Sequence, residues 1–141
     1  MTTTIAKDFR WEMGHRLPFH NGLCKNIHGH SYKLRVELEG ELDNNGMVID
    51  FYDISTIVQP IIDKLDHAFI CDEQDSVMIE FFLTNPMKTE VVPFVTTAEN
   101  ICNWLLEQIK EQLLQNPRIH RIAVRLHETE HSYAERSVVI K

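Results

Sequence analysis

Between Cys24 and Gly40 the chain reads CKNIHGHSYKLRVELEG, and the alternation in this stretch constrains the fold more than any other feature. From His28, every second residue is His28, His30, Tyr32, Leu34, Val36 and Leu38. The residues between are Gly29, Ser31, Lys33, Arg35, Glu37 and Glu39. Successive side chains of a strand point to opposite faces, so the pattern predicts a half-buried strand whose apolar face begins with two imidazoles. Residues 5–15, IAKDFRWEMGH, alternate in the same way and place Phe9, Trp11, Met13 and His15 on one face. The segment between them, RLPFHNGLCKNI, contains Pro18 and Asn21-Gly22 and reads as a loop.

The two strands are consecutive and are expected to pair, which gathers His15, His28 and His30 as three nitrogen donors. A catalytic zinc takes three protein ligands and keeps a fourth position open. Imidazole also suits iron, copper and nickel. Two other readings stand beside this one. The histidines are then either hydrogen-bonded, half-buried side chains at strand ends, or part of a closed structural site with Cys24 as fourth ligand.

The rest of the chain alternates between turn signals and helical spacing. DNNG at 43–46 predicts a turn, followed by a short strand MVIDF. DISTIVQPIIDKLDH has apolar residues at 54, 57, 58, 61, 62 and 65, the spacing of one helix face, with Asp53 as N-cap. Pro60 is expected to kink or break that helix. Residues 71–95 suggest a short helix around VMIEFF, a turn at Asn85-Pro86 and then VVPFV. TTAENICNWLLEQIKEQLLQ predicts a second long helix, opened by a Thr-x-x-Glu capping box with Thr96 as N-cap and Glu99 as its acid. Asn116-Pro117 stops it, and RIHRIAVRLHE and SYAERSVVIK close the chain as strands. The order β-β-α-α-β-β implies an α+β fold over a single domain, 1–141, with a four-stranded antiparallel sheet and two helices on one face.

Composition narrows the class of function. A net charge of −7 with no basic stripe argues against a nucleic-acid partner. No apolar run approaches the roughly 18 residues a membrane span needs, and no secretory signal is visible. Cys24, Cys71 and Cys102 are an odd set at unrelated spacings, which suits a reducing cytoplasm rather than a disulfide framework.

Three further positions carry chemistry. Cys24 is a nucleophile, a base or an inert thiol, and a divalent cation beside it would favour the thiolate. In Asp66-His67 a carboxylate can orient an imidazole that relays protons, or His67 simply caps a helix end. Glu128 continues the stripe Ile122, Val124, Leu126, so it needs a partner: a protein cation or a ligand presenting two donors side by side.

FRWEMGHRLP, CKNIHGHSYKLRVELEGEL, GMVIDFYDI, LDHAFI, TTAENI and RLHET, in this order along nearly the whole chain, resemble the 6-pyruvoyl-tetrahydropterin synthase / 6-carboxytetrahydropterin synthase family. The resemblance implies the tunnelling fold, in which subunits join their sheets into a barrel. It implies trimers stacked into a homohexamer with active sites at subunit interfaces. It makes His15, His28 and His30 ligands of Zn2+, Cys24 the proton-abstracting thiol, and Asp66 and His67 its catalytic partners. Glu128 would hold the pterin ring, helped by Thr97 and Glu99. The implied substrate is 7,8-dihydroneopterin triphosphate, with Arg16, Lys25 and Arg125 as candidate cations for its triphosphate.

Three residues separate Cys24 from His28. This C-x3-H-G-H spacing resembles the queuosine-pathway members rather than the C-x5-H-G-H of the biopterin pathway. Ile27 stands where a folate-linked branch carries glutamate. The implied product is 6-carboxy-5,6,7,8-tetrahydropterin with acetaldehyde and triphosphate. The alternatives are 6-pyruvoyl-tetrahydropterin formation and a non-catalytic pterin-binding zinc protein. The chain departs from the family pattern at Gly14 (alanine is usual), at Thr96 (proline is common) and in a longer connection from His67 to Thr96.

Overall fold

In the computed structural model, which describes residues 1–140, β1 (Thr3–His15) runs antiparallel to β2 (His28–Gly40), from Thr3 opposite Gly40 to His15 opposite His28. The register follows from the alternation, because slipping by one residue would turn Phe9, Trp11, Leu34 and Val36 to water. β5 (Ile119–Thr129) pairs antiparallel with the other edge of β2, and β6 (Ser132–Val139) with β5. These are the four antiparallel strands that the sequence predicts.

The sheet is larger than that and mixed, with six strands in the order β4-β3-β1-β2-β5-β6. β3 (Ala68–Asp72) lies parallel to the end of β1 through Met13 and Gly14, and β4 (Thr89–Val92) lies parallel to β3. All five residues of β3 are buried. A short strand covered on both faces has no alternation to announce it. Conversely, MVIDF forms no strand: Val48 is buried at the core edge while the backbone turns into a helix at Phe51.

There are three helices, α1 (Phe51–Leu65), α2 (Ser76–Thr84) and α3 (Ala98–Leu113). α2 is the short helix expected around VMIEFF, added to the two long ones of the expected β-β-α-α-β-β order. The N-cap of α1 is Asp50, not Asp53; its carboxylate accepts from the Tyr52 amide at 2.8 Å. Pro60 leaves α1 unbroken. It lies on the exposed face, where water can serve the carbonyl that loses its amide partner. α1 and α3 cover one face of the sheet. Ile54, Val58, Ile62 and Leu65 of α1 meet Ile101, Leu105, Ile109 and Leu113 of α3 over Leu34, Val36, Leu38, Ile122, Val124 and Leu126, all buried. Each such side chain contributes about 1.5–3 kcal/mol relative to exposure. Among the described residues no helix is long and apolar enough to cross a membrane.

Candidate active site

The antiparallel pairing ends with His15 opposite His28, and His30 follows two residues along the same face. The three imidazoles are 4.6, 4.9 and 5.2 Å apart between ring centres, and one ligand atom from each lies within 4.8 Å of the others. His15 Nδ1 donates to the Thr96 carbonyl at 2.8 Å, and His28 Nδ1 donates to the Asn26 carbonyl at 2.7 Å. A carbonyl only accepts, so each Nδ1 carries the proton and each Nε2 presents a lone pair. Both Nε2 atoms are buried and without a hydrogen-bond partner. Burial lowers the His15 pKa to about 4, and the two neighbouring imidazoles push the same way. Burial also lowers that of His30, against the pull of Glu128. Imidazole nitrogens gathered this closely, two of them shielded at Nε2, are a donor set for a metal ion. The three histidines are positioned to hold one.

Among the described residues no Lys or Arg pairs with Glu128; its carboxylate faces two of the imidazoles instead. Its Oε1 lies 3.4 Å from His15 Nε2 and 3.5 Å from His30 Nε2. The His15 nitrogen is an acceptor, so the pair is not a hydrogen bond but two electron-rich atoms face to face. A cation bound by the histidines removes that conflict. The strand pairing between β5 and β6 shifts register between His127 and Thr129, directly at Glu128. Such irregularities re-aim side chains beside sites, and the sequence carries no signal for this one. Tyr32, stacked on Trp11 at 5.5 Å, packs against His30 and closes the floor.

Thr96 is the residue that sequence reasoning misplaced. It is not the N-cap of α3; Thr97 is, accepting from the Asn100 amide at 3.2 Å. Thr96 is buried, and its carbonyl and Oγ1 both face His15 Nδ1. Two consecutive threonines divide two tasks that one capping-box motif had merged. Gly14, which departs from the usual alanine, leaves room for a methyl group, since an added Cβ would meet its nearest neighbours at 3.4 Å.

Cys24 sits half-buried in a single 3₁₀ turn, Leu23–Lys25, and lies outside the group of metal-facing atoms. Its loop is tied back to the end of β1. Leu17 donates its amide to the Cys24 carbonyl at 2.8 Å, and Arg16 reaches the Lys25 carbonyl at 3.4 Å. The Arg16 guanidinium is clasped by Asp75, the N-cap of α2, through two bonds of 2.7 Å. Arg125 is likewise engaged, with Glu135 at 2.9 Å.

Asp66 and His67 form a separate pair at the C-terminal end of α1. His67 has a left-handed backbone, φ 61°, and donates its amide to the Glu12 carbonyl. Asp66 Oδ1 accepts from the Glu12 amide at 3.0 Å and from His67 Nδ1 at 2.9 Å; the Glu12 bond chiefly lowers the Asp66 pKa. The His67 side chain is 77% exposed. Among the described residues no hydrogen bond or ion pair joins this pair to Cys24, Glu128 or the three metal-facing histidines. Glu99 and Glu128 line a common hollow with Ser132 and Tyr133, and Thr97 stands at its edge as the helix cap.

Comparison with known proteins matches residues 4–137 to the model of the family described as 6-pyruvoyl tetrahydropterin synthase. A Haemophilus influenzae protein named 6-carboxy-5,6,7,8-tetrahydropterin synthase is 40% identical over 139 residues, covering 93% of this chain and 96% of that one. An Aquifex aeolicus protein of the same name is 32% identical over 133 residues, 80% of this chain and 82% of its own. Among solved structures, 6-pyruvoyl tetrahydropterin synthase from Plasmodium vivax superposes with a TM-score of 0.80 over 99% of each chain. At 18% identity that likeness speaks to the fold alone.

Proposed function

Because the chain belongs to the 6-pyruvoyl tetrahydropterin synthase family, we propose that it converts 7,8-dihydroneopterin triphosphate and water into 6-carboxy-5,6,7,8-tetrahydropterin, acetaldehyde and triphosphate, in the queuosine branch. The observation that carries the reading is the convergent three-histidine cluster in a chain so similar to proteins named for that product. The spacing of Cys24 from His28 points the same way.

In this reading His15, His28 and His30 hold Zn2+, which when bound supplies Lewis acidity toward the substrate's side-chain oxygens. Cys24 as thiolate takes a proton from the side-chain carbon. His67, oriented by the Asp66 carboxylate, moves protons on and off the side-chain oxygens. Glu128 accepts two adjacent ring donors and so fixes which carbon faces the thiol. Thr97 and Glu99 border the ring pocket.

Among the described residues no hydrogen bond joins Asp66–His67 to the histidine cluster, though His67 and His30 border one hollow, and the support for an assembly lies in the sheet edges. β1 is paired by β3 only at Met13 and Gly14, and β6 only by β5, so both present long open edges of the kind that pair between subunits. The reading is therefore a homohexamer, and light scattering should give that mass; a monomer at micromolar concentration would overturn it. The test of the reaction itself is product analysis. Acetaldehyde and triphosphate should appear together when purified protein meets 7,8-dihydroneopterin triphosphate. Triphosphate without acetaldehyde would assign the pyruvoyl route, and neither would leave a binding protein.

A further inference from the structure

The sheet face turned away from α1 and α3 carries a row of two cations and an imidazole that the proposed reaction does not use. Burial and the cations beside it hold that imidazole, His127, toward its neutral form. Arg10 on β1 stands opposite Lys33 on β2, and Lys33 stands opposite His127 on β5. Directly opposed positions on neighbouring strands share a face with their Cβ atoms about 4.5–5.5 Å apart, and like charges placed so are destabilising. Elsewhere on this face the cations are matched: Arg35 and Arg121 by Glu37, Arg125 by Glu135. Among the described residues neither Arg10 nor Lys33 has a carboxylate within ion-pair distance. Lack of acids is not the cause, since 21 acidic residues face 14 basic ones in the sequence.

The row lines a hollow of about 260 Å³ with Ser31, Thr129 and Glu130. The bordering acids are Asp8, Glu12 and Glu130. Glu12 is already bound by the Ser31 hydroxyl, at 2.7 and 2.9 Å. His127 leans on Tyr133 with ring centres 5.0 Å apart, and its Nδ1 is shielded and has no hydrogen-bond partner. Alternation sets this face opposite the one that carries His30, Tyr32 and Glu128.

We propose that Arg10, Lys33 and His127 form a binding site for an oligophosphate anion, on the opposite face of the sheet from the metal centre. A chain of phosphate groups supplies the negative charge the row lacks and can bridge three strands at once. The site stands whether or not the pterin reaction is this chain's activity. Free triphosphate and the phosphate tail of a nucleotide share the chemistry it recognises.

Isothermal titration of the full-length protein with inorganic tripolyphosphate at low salt should show saturable binding that weakens as salt rises. Arg10→Gln and Lys33→Gln should each cost about tenfold in affinity, and Lys64→Gln, exposed on α1, should cost nothing. Tripolyphosphate should raise the melting temperature of the parent protein but not of the Arg10→Gln/Lys33→Gln double variant. GTP in place of tripolyphosphate distinguishes the sources: equal affinity assigns the phosphate chain alone, and tighter binding assigns a nucleotide. Absent binding at low salt would overturn the proposal. So would binding that survives in the folded double variant and is lost in His28→Ala, which would place the anion at the metal centre.

Discussion

His15 and His67 are both held through Nδ1, yet their surroundings differ in every respect that matters for chemistry. His15 is 1% exposed and donates to a backbone carbonyl; His67 is 77% exposed and faces a carboxylate. A carbonyl fixes the tautomer without adding charge, which leaves a neutral, rigid donor for a metal. A carboxylate orients a ring that can pick up positive charge, which suits proton transfer. Strand pairing positions the first imidazole, and a left-handed residue after a helix positions the second. The same side chain is thus placed as a metal donor where packing excludes water, and in the proposed reaction as a proton carrier where it admits water.

The strongest way to break this contrast is to remove a ligand. His28→Ala or His30→Ala should reduce bound zinc from roughly one per chain to near none, because two nitrogen donors make a poor site. Full metal occupancy in either variant would refute the assignment. Asp66→Asn should keep the zinc and lower kcat by about 10²-fold or more, whereas Cys24→Ala should keep the zinc and lose turnover by about 10²–10⁴-fold. Metal content decides the alternative for Cys24, since a fourth structural ligand would lose zinc and thermal stability together.

Glu128→Gln sharpens the contrast from the other side. The variant should fold, bind zinc and bind a pterin analogue about tenfold more weakly, because an amide cannot accept both ring donors. Unchanged affinity would place the ring elsewhere.

Acidity separates the two imidazoles through stability. His15 titrates at about 4 when folded and near 6.5 when unfolded, so the unfolded chain binds more protons between those values. Its contribution is complete above pH 6.5 and is lost as pH falls toward 4. The melting temperature of the metal-free protein should therefore fall across that window, and His15→Gln should flatten the fall. The smallest effect belongs to the caps. Thr97→Ala should cost about 1 kcal/mol, read from denaturant melts. Thr96→Ala should cost α3 no cap bond, because the Thr96 carbonyl that holds His15 is backbone and survives the change.

Much was legible from residue order alone. Period-two alternation specified β1, β2 and their shared face, and with them the meeting of His15, His28 and His30, because a strand leaves a side chain only two directions. Helical spacing specified α1 and α3, and Asp66-His67 falls at the end of α1 as the pattern implied. Tertiary structure decided what local pattern does not encode. β3 is buried on both sides, so burial there erases the alternation that would announce it. Which of Thr96 and Thr97 caps α3 depends on whether His15 arrives to claim the other. That Glu128 faces two imidazoles, and that Arg10, Lys33 and His127 line up unmatched, depends on the register of strands up to 117 residues apart in sequence. Local sequence sets which way a side chain points; only the packed sheet sets what it points at.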